Sequence, residues 1–327
     1  MIRVLFAALT LGLSGVAGAS AADQLTFQLG WLPGGERAPA FLALEKGLFA
    51  AENLDVKILG GRGSADVLTR LGTGSVDIGE VTMDVYLYSK AEGSIPVTAV
   101  MPFFTKQMDS LVTTTSSGIS TLKDTVGRTI GTTPTSGSNQ IWPIFLRMNG
   151  VDPADVKIKR ASSNVLPGML ATGQADGVLL MLTTAPGLVP LLASTGKQIK
   201  VITWAEHGYE GYSQTIVATN KVLAERPDVV RRFLKVLRQA MVLTQQDPEA
   251  AARAVHVAAP QAELSAIRAQ IDASIPMMFN EITQRDGLGA FSPGHIRKTW
   301  EWAARARGYA LDKLDPISTV TDKYTGS

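Results

Sequence analysis

One phrase of this 327-residue chain occurs twice, and it constrains the fold more than any other feature. LGTGSVDIGE begins at Leu71 and LATGQADGVL begins at Leu170, and both follow the pattern Leu-x-Thr-Gly-x-x-Asp. In each copy an apolar helical stretch precedes a glycine that can cap the helix, and a short buried strand follows. Leu, Thr and Gly are common enough for a chance match, but the alternative is a pair of related α/β lobes.

The rest of the chain favours two lobes, because short strands and helices alternate along it. Runs rich in β-branched residues predict strands at residues 25–30, 54–59, 76–81, 95–101, 110–115, 128–133, 155–161, 176–182 and 198–204. Helical patterns occupy residues 38–47, 64–74, 83–93, 139–148, 165–172, 185–194, 227–246, 261–273 and 293–307. This order predicts an α/β protein with mostly parallel sheets covered by helices. The last three helices have no strands of their own to cover, so we expect them to pack on the first lobe.

The N-terminus predicts export. Arg3 precedes an apolar run of roughly ten residues and the small-x-small sequence Ala19-Ser20-Ala21, which is typical of a signal peptide at residues 1–21. A membrane anchor needs about 20 apolar residues, so we expect cleavage near Ala21 and a periplasmic location. The chain has no cysteine, hence no disulfide, no lipid-attachment cysteine and no thiolate metal site.

Composition narrows the class of protein further. The length exceeds what one core usually supports, so two domains are expected. The 31 basic and 29 acidic residues are interspersed and give a net charge of +2. A nucleic-acid-binding protein would show a basic patch, so we expect no nucleic-acid partner.

Several motifs at matching spacings point to one family. They are Trp31-x-Pro33, ALEKGLF at residues 43–49, GxxDIG at 74–79, LKDTVGRTIG at 122–131 and ERPDVVRRFLKVL at 225–237. The chain resembles the periplasmic substrate-binding proteins of ABC importers of the nitrate/sulfonate/taurine and thiamine-pyrimidine (NMT1/THI5-like) type. One difference is that the histidine associated with the pyrimidine branch shortly after the proline is absent, and Glu36 and Arg37 lie there instead.

The resemblance implies a two-lobed type II clamshell that holds its ligand in the interlobe cleft. Residues 22–104 and 211–327 would form the first lobe, and residues 105–210 the second. The implied ligand is a thiamine-pyrimidine precursor, a sulfonate, nitrate or an aromatic carboxylate. The implied partners are an inner-membrane ABC permease and its ATPase, with the protein a monomer that needs no cofactor or metal. An exported ligand sensor or adaptor would have the same clamshell and remains an alternative.

Candidate ligand-binding residues lie in loops that follow strands and at helix starts, where open α/β sheets bind ligands. Trp31 follows the first strand and could stack on a planar ligand, although a lone tryptophan can equally belong to the core. GGRGS at residues 60–64 and TPTSGSN at 133–139 offer free backbone N–H groups, although either could be only a turn or a helix cap. The candidates in these two loops are Arg62, Gly63, Ser64, Thr135, Ser136, Gly137 and Ser138.

Other candidates are weaker. Loop or hinge positions that could contact ligand are Thr82, Met83, Thr183 with its neighbour Thr184, Trp204 and Glu206. Arg37 and Arg62 could each bind an acidic group of the ligand, because a guanidinium pairs with such groups in a bidentate way. The sequence does not distinguish between these two arginines.

An enzyme is the minor alternative. A eukaryotic thiamine-pyrimidine synthase shares the fold, and as the family is known it depends on histidine and on a cysteine-rich iron-binding stretch. Here there is no cysteine, and His207, His256 and His295 lie far apart without ligand-like spacing. No Gly-x-Ser-x-Gly motif or phosphate-binding loop is present. The sequence therefore predicts a binding protein and not an enzyme.

Overall fold

The computed structural model describes residues 21–93 and 95–326. The predicted signal peptide therefore lies, except for Ala21, outside the described residues. The strands are β1 (Asp23–Gln28), β2 (Leu54–Leu59), β3 (Ile78–Thr82), β4 (Val97–Pro102), β5 (Asp109–Thr114), β6 (Thr129–Thr132), β7 (Lys157–Arg160), β8 (Gly177–Met181), β9 (Ile199–Thr203) and β10 (Gln214–Thr219).

Helices lie between and after these strands. They are α1 (Ala38–Glu45), α2 (Leu48–Ala51), α3 (Ser64–Gly72), α4 (Met83–Ala91), α5 (Gly137–Met148), α6 (Leu166–Thr172), α7 (Val189–Ser194), α8 (Asn220–Glu225), α9 (Pro227–Gln246), α10 (Pro248–Ala258), α11 (Leu264–Met278), α12 (Glu281–Asp286) and α13 (Pro293–Arg307). Within the described residues, no helix is long and apolar enough to cross a membrane.

The strands form two five-stranded sheets with the same arrangement. Their orders are β2-β1-β3-β10-β4 and β7-β6-β8-β5-β9. In each sheet four strands run in one direction, and the fourth strand in the order, β10 or β5, runs antiparallel to both neighbours. The predicted α/β fold with mostly parallel sheets is confirmed. The lobe boundaries after residues 104 and 210 stay a prediction, and the first sheet takes its strands from residues 23–102 and 214–219.

Each sheet lies between two apolar clusters because successive side chains of a strand point to opposite faces. In β10, Ile216 packs in the cluster with α1, α9 and α10, whereas Val217 packs in the cluster with α3, α4 and α13. In β5, Leu111 and Val112 divide in the same way between the cluster of α5 and the cluster of α6 and α7. Two layers of helices therefore cover each sheet and leave only its ends open.

The repeated phrase has the same structural role in both sheets. Gly74 and Gly173 have φ values of 70° and 74°, the left-handed conformation that ends a helix without strain at glycine. The carboxylate three residues later, Asp77 or Asp176, accepts a hydrogen bond of 2.8 Å from the backbone amide of a residue in the neighbouring strand, β1 or β6. The repeat thus fixes the start of β3 and of β8.

Two expectations about the last third of the chain need correction. The sequence analysis missed β10, which lies between β3 and β4, and it missed α10. The C-terminal helices also do more than pack on the first lobe, because α11 contacts the 3₁₀ turn at Ala185–Leu188 and α13 contacts α5. Gln270 of α11 shows this bridging, since it accepts a hydrogen bond from the Gly35 amide at 2.8 Å and donates to the Thr184 carbonyl at 3.5 Å.

Candidate functional site

A cavity lies between the carboxyl-terminal ends of the two sheets. It has an empty volume of about 450 Å³, part of which opens to solvent. Both lobes contribute to its lining, which consists of Gly30, Trp31, Gly63, Ser64, Val81, Thr82, Ser136, Gly137, Ser138, Leu179, Leu180, Met181, Thr184 and Gln214. Its position, in a concave site between two lobes, is typical of sites for small molecules.

Two helices from opposite lobes begin at the cavity. At the start of α3, the Ser64 hydroxyl accepts a hydrogen bond from the Thr82 amide at 2.9 Å and lies 3.3 Å from the Thr82 hydroxyl. At the start of α5, the Ser136 hydroxyl accepts from the Asn139 amide at 3.2 Å and donates to the Thr133 carbonyl. Ser136 is thus a helix cap of α5, and at the start of α3 the Ala65 amide donates to the Thr135 carbonyl at 3.3 Å.

The lobes meet at this cavity. A Cβ atom built on Gly137 of the second lobe would lie 2.5 Å from the Thr82 hydroxyl of the first lobe, which is closer than real side chains approach. Gln214 of β10 donates to the Met181 sulfur of β8 at 2.9 Å. The half-buried Trp31 ring packs against the apolar cluster of α6 and α7. The structure therefore represents a closed clamshell.

The strand registers explain why two polar residues lie at this edge. Gln214, the first residue of β10, pairs with Thr82 at the end of β3. Asp109, the first residue of β5, pairs in the same way with Met181 at the end of β8. Because β10 and β5 are antiparallel to their neighbours, their first residues lie beside the carboxyl ends of the parallel strands.

A buried acidic network lies behind the cavity and joins the lobes. Asp109 is 3% exposed and accepts a hydrogen bond from the Ser138 hydroxyl. Asp84 of the first lobe accepts from the Tyr209 hydroxyl at 2.8 Å and from the Val85 amide at 2.7 Å. Burial and the nearby Asp84 carboxylate raise the pKa of Asp109 to about 7. Burial also raises the pKa of Asp84.

Arg37 does not line the cavity, although its charge made it a candidate. Its side chain is 1% exposed and forms a bidentate ion pair with Glu80, with both N–O distances 3.1 Å, and a second pair with Glu36 at 2.5 Å. Glu80 also accepts from the Gly30 amide, and Glu36 accepts from the Thr184 hydroxyl of the second lobe at 3.1 Å. The guanidinium is therefore used inside the protein, to neutralise two buried carboxylates.

The structure places several other candidates away from the cavity. Met83 is buried in the cluster of α4 and α13, because it is the first residue of α4. Trp204 is buried in the second lobe and stacks on Phe145 with ring centroids 4.5 Å apart. Thr183 is fully buried, and its hydroxyl has no partner among the described residues. Glu206 is exposed in a separate surface pocket near the chain crossovers.

Arg62 and Thr135 line a different groove on the outer side of the cleft. The Thr135 hydroxyl donates to the Arg62 carbonyl, so this contact also joins the lobes. Of the candidate residues, the cavity thus brings together Trp31 and a larger set of loop positions, namely Gly63, Ser64, Thr82, Ser136, Gly137 and Ser138.

Sequence reasoning missed six of the fourteen lining residues, since Thr184 was named together with Thr183. Gln214 was missed together with its strand, and Gly30 and Val81 adjoin residues that were named. The end of β8, a strand that was predicted, contributes Leu179, Leu180 and Met181 to the lining. Their position at the end of that strand, next to the sheet edge, could have indicated them.

The histidines lie outside the cavity lining. His256 and His295 are hydrogen-bonded to the carbonyls of Ala262 and Thr105 at 3.0 and 2.7 Å. Within residues 21–93 and 95–326, no three His, Cys, Asp or Glu side chains are grouped closely enough to hold a metal ion. The described donor set therefore does not fit an iron site.

The two lobes and the cavity between them define the class of protein, since this is the fold of periplasmic binding proteins. The alkanesulfonate-binding protein SsuA of Xanthomonas axonopodis, solved with bound MOPS, is 14% identical, with a TM-score of 0.70 over 93% of this chain and 99% of that chain. The ligand-binding component of an ABC-type import system of Staphylococcus aureus, solved with bound zinc, is 13% identical, with a TM-score of 0.66 over 92% of this chain and 100% of that chain. At such identities the likeness shows the fold alone.

Sequence comparison identifies the family. A family described as NMT1/THI5 like matches residues 35–251, which is more than half of the chain. The protein therefore belongs to the NMT1/THI5-like family, as the motifs predicted. A relative from Schizosaccharomyces pombe, 4-amino-5-hydroxymethyl-2-methylpyrimidine phosphate synthase, is 26% identical over 234 residues, covering 69% of this chain and 67% of its own.

This relationship corrects one prediction. We expected a protein that is not an enzyme, but a relative that covers two thirds of the chain is named as a synthase. The missing Gly-x-Ser-x-Gly motif and phosphate-binding loop did not justify that exclusion, because both motifs belong to other families.

Proposed function

We propose that this protein captures a small organic ligand in the interlobe cavity and delivers it to the permease of an ABC import system. The observation that carries the proposal is a cavity between the lobes whose lining comes from both of them. A ligand that contacts both lobes stabilises the closed form by its differential affinity, and closure then signals occupancy to the permease. The fold that this chain shares with ligand-binding components of import systems supports the same function.

The charges around the cavity favour an uncharged or cationic ring. The lining contains no Lys or Arg side chain. Behind it, Glu36 and Glu80 share the single charge of Arg37, and Asp84 with Asp109 add two further carboxyl groups. Two helix N-termini supply only about +0.5 each. Of the ligands that the family suggests, the thiamine pyrimidine therefore fits the cavity better than nitrate or a sulfonate.

The shape and polarity of the lining agree with that ligand class. Trp31, Leu180 and Met181 provide apolar surface against which an aromatic ring can pack. The Ser138 hydroxyl donates its proton to Asp109, so its oxygen is an acceptor for an amino group of the ligand. Gln214 offers an amide at the same edge.

A second candidate function is synthesis of a pyrimidine in the same cavity. The observation that favours it is the name of the fungal relative, a pyrimidine phosphate synthase. The two functions differ in what is recovered after incubation. Binding returns the ligand unchanged, whereas synthesis releases a new compound into solution.

The test uses calorimetry on the purified mature protein with 4-amino-5-hydroxymethyl-2-methylpyrimidine, MOPS and nitrate as probes, followed by mass spectrometry of the recovered small molecules. We expect the pyrimidine to bind most tightly, and Trp31→Ala to weaken it by about 1 to 3 kcal/mol. Replacement of the exposed Val126 by Ala is the matched control and should change nothing. Wild-type affinity in Trp31→Ala would show that the cavity is not the site.

Export and delivery follow from the same proposal. We expect residues 1–21 to be removed, so the intact mass of the native protein should correspond to a chain that begins near Ala22. We also expect a monomer in solution. An uncleaved or acylated N-terminus would contradict the export step, and a receptor gene in place of neighbouring permease and ATPase genes would favour a sensor.

A further inference from the structure

A second groove crosses the two lobes on the outer side of the cavity. Its empty space is about 1480 Å³, including space that is open to solvent. Arg62, in the loop after β2, lines it from the first lobe, and Arg160, the last residue of β7, lines it from the second. The groove is therefore completed only when the lobes are closed.

One wall separates this groove from the cavity. The Ala65 amide donates to the Thr135 carbonyl at 3.3 Å, and the Thr135 hydroxyl donates to the Arg62 carbonyl. A Cβ atom on Gly63 would lie 2.5 Å from the Thr135 carbonyl oxygen, and its φ of 113° also favours glycine. The two backbones touch at this wall, which holds the Arg62 loop against the second lobe.

Within residues 21–93 and 95–326, the two guanidinium groups have no acidic partner. Both side chains are exposed, and among the described residues neither forms an ion pair or a hydrogen bond. Asp66 also lines the groove, but it is already paired with Arg70 at 3.2 Å. The groove thus has an excess of positive charge, in contrast to the acidic surroundings of the cavity.

A hydroxyl group in the groove is also without a partner. Thr133 is only 5% exposed and lines the groove, and its buried hydroxyl has no hydrogen-bond partner among the described residues. A buried hydroxyl normally has a partner, because leaving it unpaired costs about 1–3 kcal/mol. An anion held by the arginines would supply an acceptor for it.

We propose that this groove binds a phosphate-class oxyanion between Arg62 and Arg160, with Thr133 as an additional donor. Guanidinium groups pair with the oxygens of such anions in a bidentate way. Without an anion the two like charges repel when the lobes close, and an anion between them removes this repulsion. Because the wall separates the groove from the cavity, we expect a free ion, and the acidic end of a ligand that extends past the wall is the alternative source.

The first experiment titrates inorganic phosphate into the full protein at low ionic strength and measures the heat. We expect binding that weakens as salt is added, and a loss of affinity of about tenfold or more in Arg62→Gln and in Arg160→Gln. Arg147→Gln is the matched control, because Arg147 is an exposed arginine of the second lobe outside the groove, and it should bind phosphate as the wild type does. Thermal unfolding of all variants verifies that they fold.

Two results would overturn the inference. One is an absence of phosphate binding in the wild type, and the other is equal affinity in the wild type and both groove variants. A phosphate titration does not require the cavity to bind any compound. Failure of the proposed function would instead appear as an unchanged pyrimidine affinity in Trp31→Ala, so the two failures are distinguishable.

A second experiment identifies the source of the anion by comparing phenyl phosphate with inorganic phosphate. If the anion is the acidic end of a ligand, phenyl phosphate binds more tightly, and Trp31→Ala removes the difference. If the anion is a free ion, the two compounds bind equally, and Trp31→Ala changes neither. In both cases Arg160→Gln should weaken binding, and a phenyl phosphate affinity that is insensitive to Arg160 would contradict the proposed site.

Discussion

A methyl group at position 137 tests whether the closed form is the form that binds ligand. Gly137 is the first residue of α5, and its φ is not in the left-handed region, so alanine is compatible with the helix. The steric conflict is with Thr82, on the opposite side of the cleft. The new Cβ would lie 2.5 Å from the Thr82 hydroxyl and 3.3 Å from the Thr82 Cβ and Cγ2 atoms.

The free-energy cost of this contact depends on how the Thr82 side chain responds to it. The Thr82 hydroxyl lies 3.3 Å from the Ser64 hydroxyl, so rotating it away loses a hydrogen bond worth about 1 kcal/mol. Leaving it in place overpacks the cleft, which costs about 1–3 kcal/mol. Neither cost arises when the lobes are apart. We therefore expect Gly137→Ala to weaken ligand binding about 5- to 150-fold.

Calorimetry with the tightest-binding compound of the panel measures the affinity, and thermal unfolding without ligand measures stability. Gly168→Ala is the matched control, because Gly168 lies in α6 of the same lobe and a Cβ there would meet no atom within 4 Å. Gly137→Ala should retain the unfolding temperature of the unliganded wild type. Wild-type affinity in this variant would refute the reasoning, because it would show that the lobes do not need to meet at Thr82.

Three further predictions concern charged side chains and their partners inside the lobes. Because the pKa of Asp109 is about 7 in the folded protein, above its ordinary value of 3.8, folding favours its protonated form. The free energy of unfolding should therefore fall as pH rises from about 4 to about 7, by about 4 kcal/mol at most, and Asp109→Asn should flatten this dependence in urea titrations. Asp77→Ala and Asp176→Ala should each lower the free energy of unfolding by about 1–3 kcal/mol, and a loss in only one of them would show that the repeats are not equivalent. Arg37→Met should lower the free energy of unfolding by about 3–5 kcal/mol, because it leaves two carboxylates buried without a cation, and an unchanged free energy in urea titrations would contradict this account.

Local patterns predicted most of the fold because the strands and helices are separated by clear stop signals. The bounds of β2, α9 and α13 agree with the prediction at both ends. The strand QTIVAT of β10 is different, since its position depends on where the chain re-enters the first sheet. Local sequence contains no information on which two strands will flank it, so the antiparallel arrangement had to come from the structure.

The site was predicted in part by a rule about sheet edges, and the rule also explains the omissions. Loops that follow parallel strands and helix starts with glycine and serine led to Gly63, Ser64 and the loop before α5. The same rule ignores the first residues of antiparallel strands, which lie at the same edge. Gln214 and Asp109 are such residues, and neither could be placed without the strand order.

Arginine was the least predictable part of the site. Arg37 is paired with the adjacent Glu36 and with Glu80, which is 43 positions away. Contacts of that sequence separation leave no local pattern, so Arg37 and Arg62 looked equivalent. The difference between them is burial. Arg37 is buried and neutralises carboxylates inside the protein, whereas Arg62 is exposed and its charge is available to a ligand.

The distribution of charge gives a final way to distinguish two positions for an anion. The sequence analysis offered the helix N-termini of the cavity as well as Arg37 and Arg62, but those helix ends supply about one positive charge in total against several buried carboxyl groups. Arg62 and Arg160 supply two full charges in the outer groove. An inorganic oxyanion such as phosphate should therefore lose affinity in Arg160→Gln and retain it in Ser138→Ala. The opposite result would locate the anion in the cavity, at the start of α5, and would reopen the sulfonate and nitrate alternatives for the ligand.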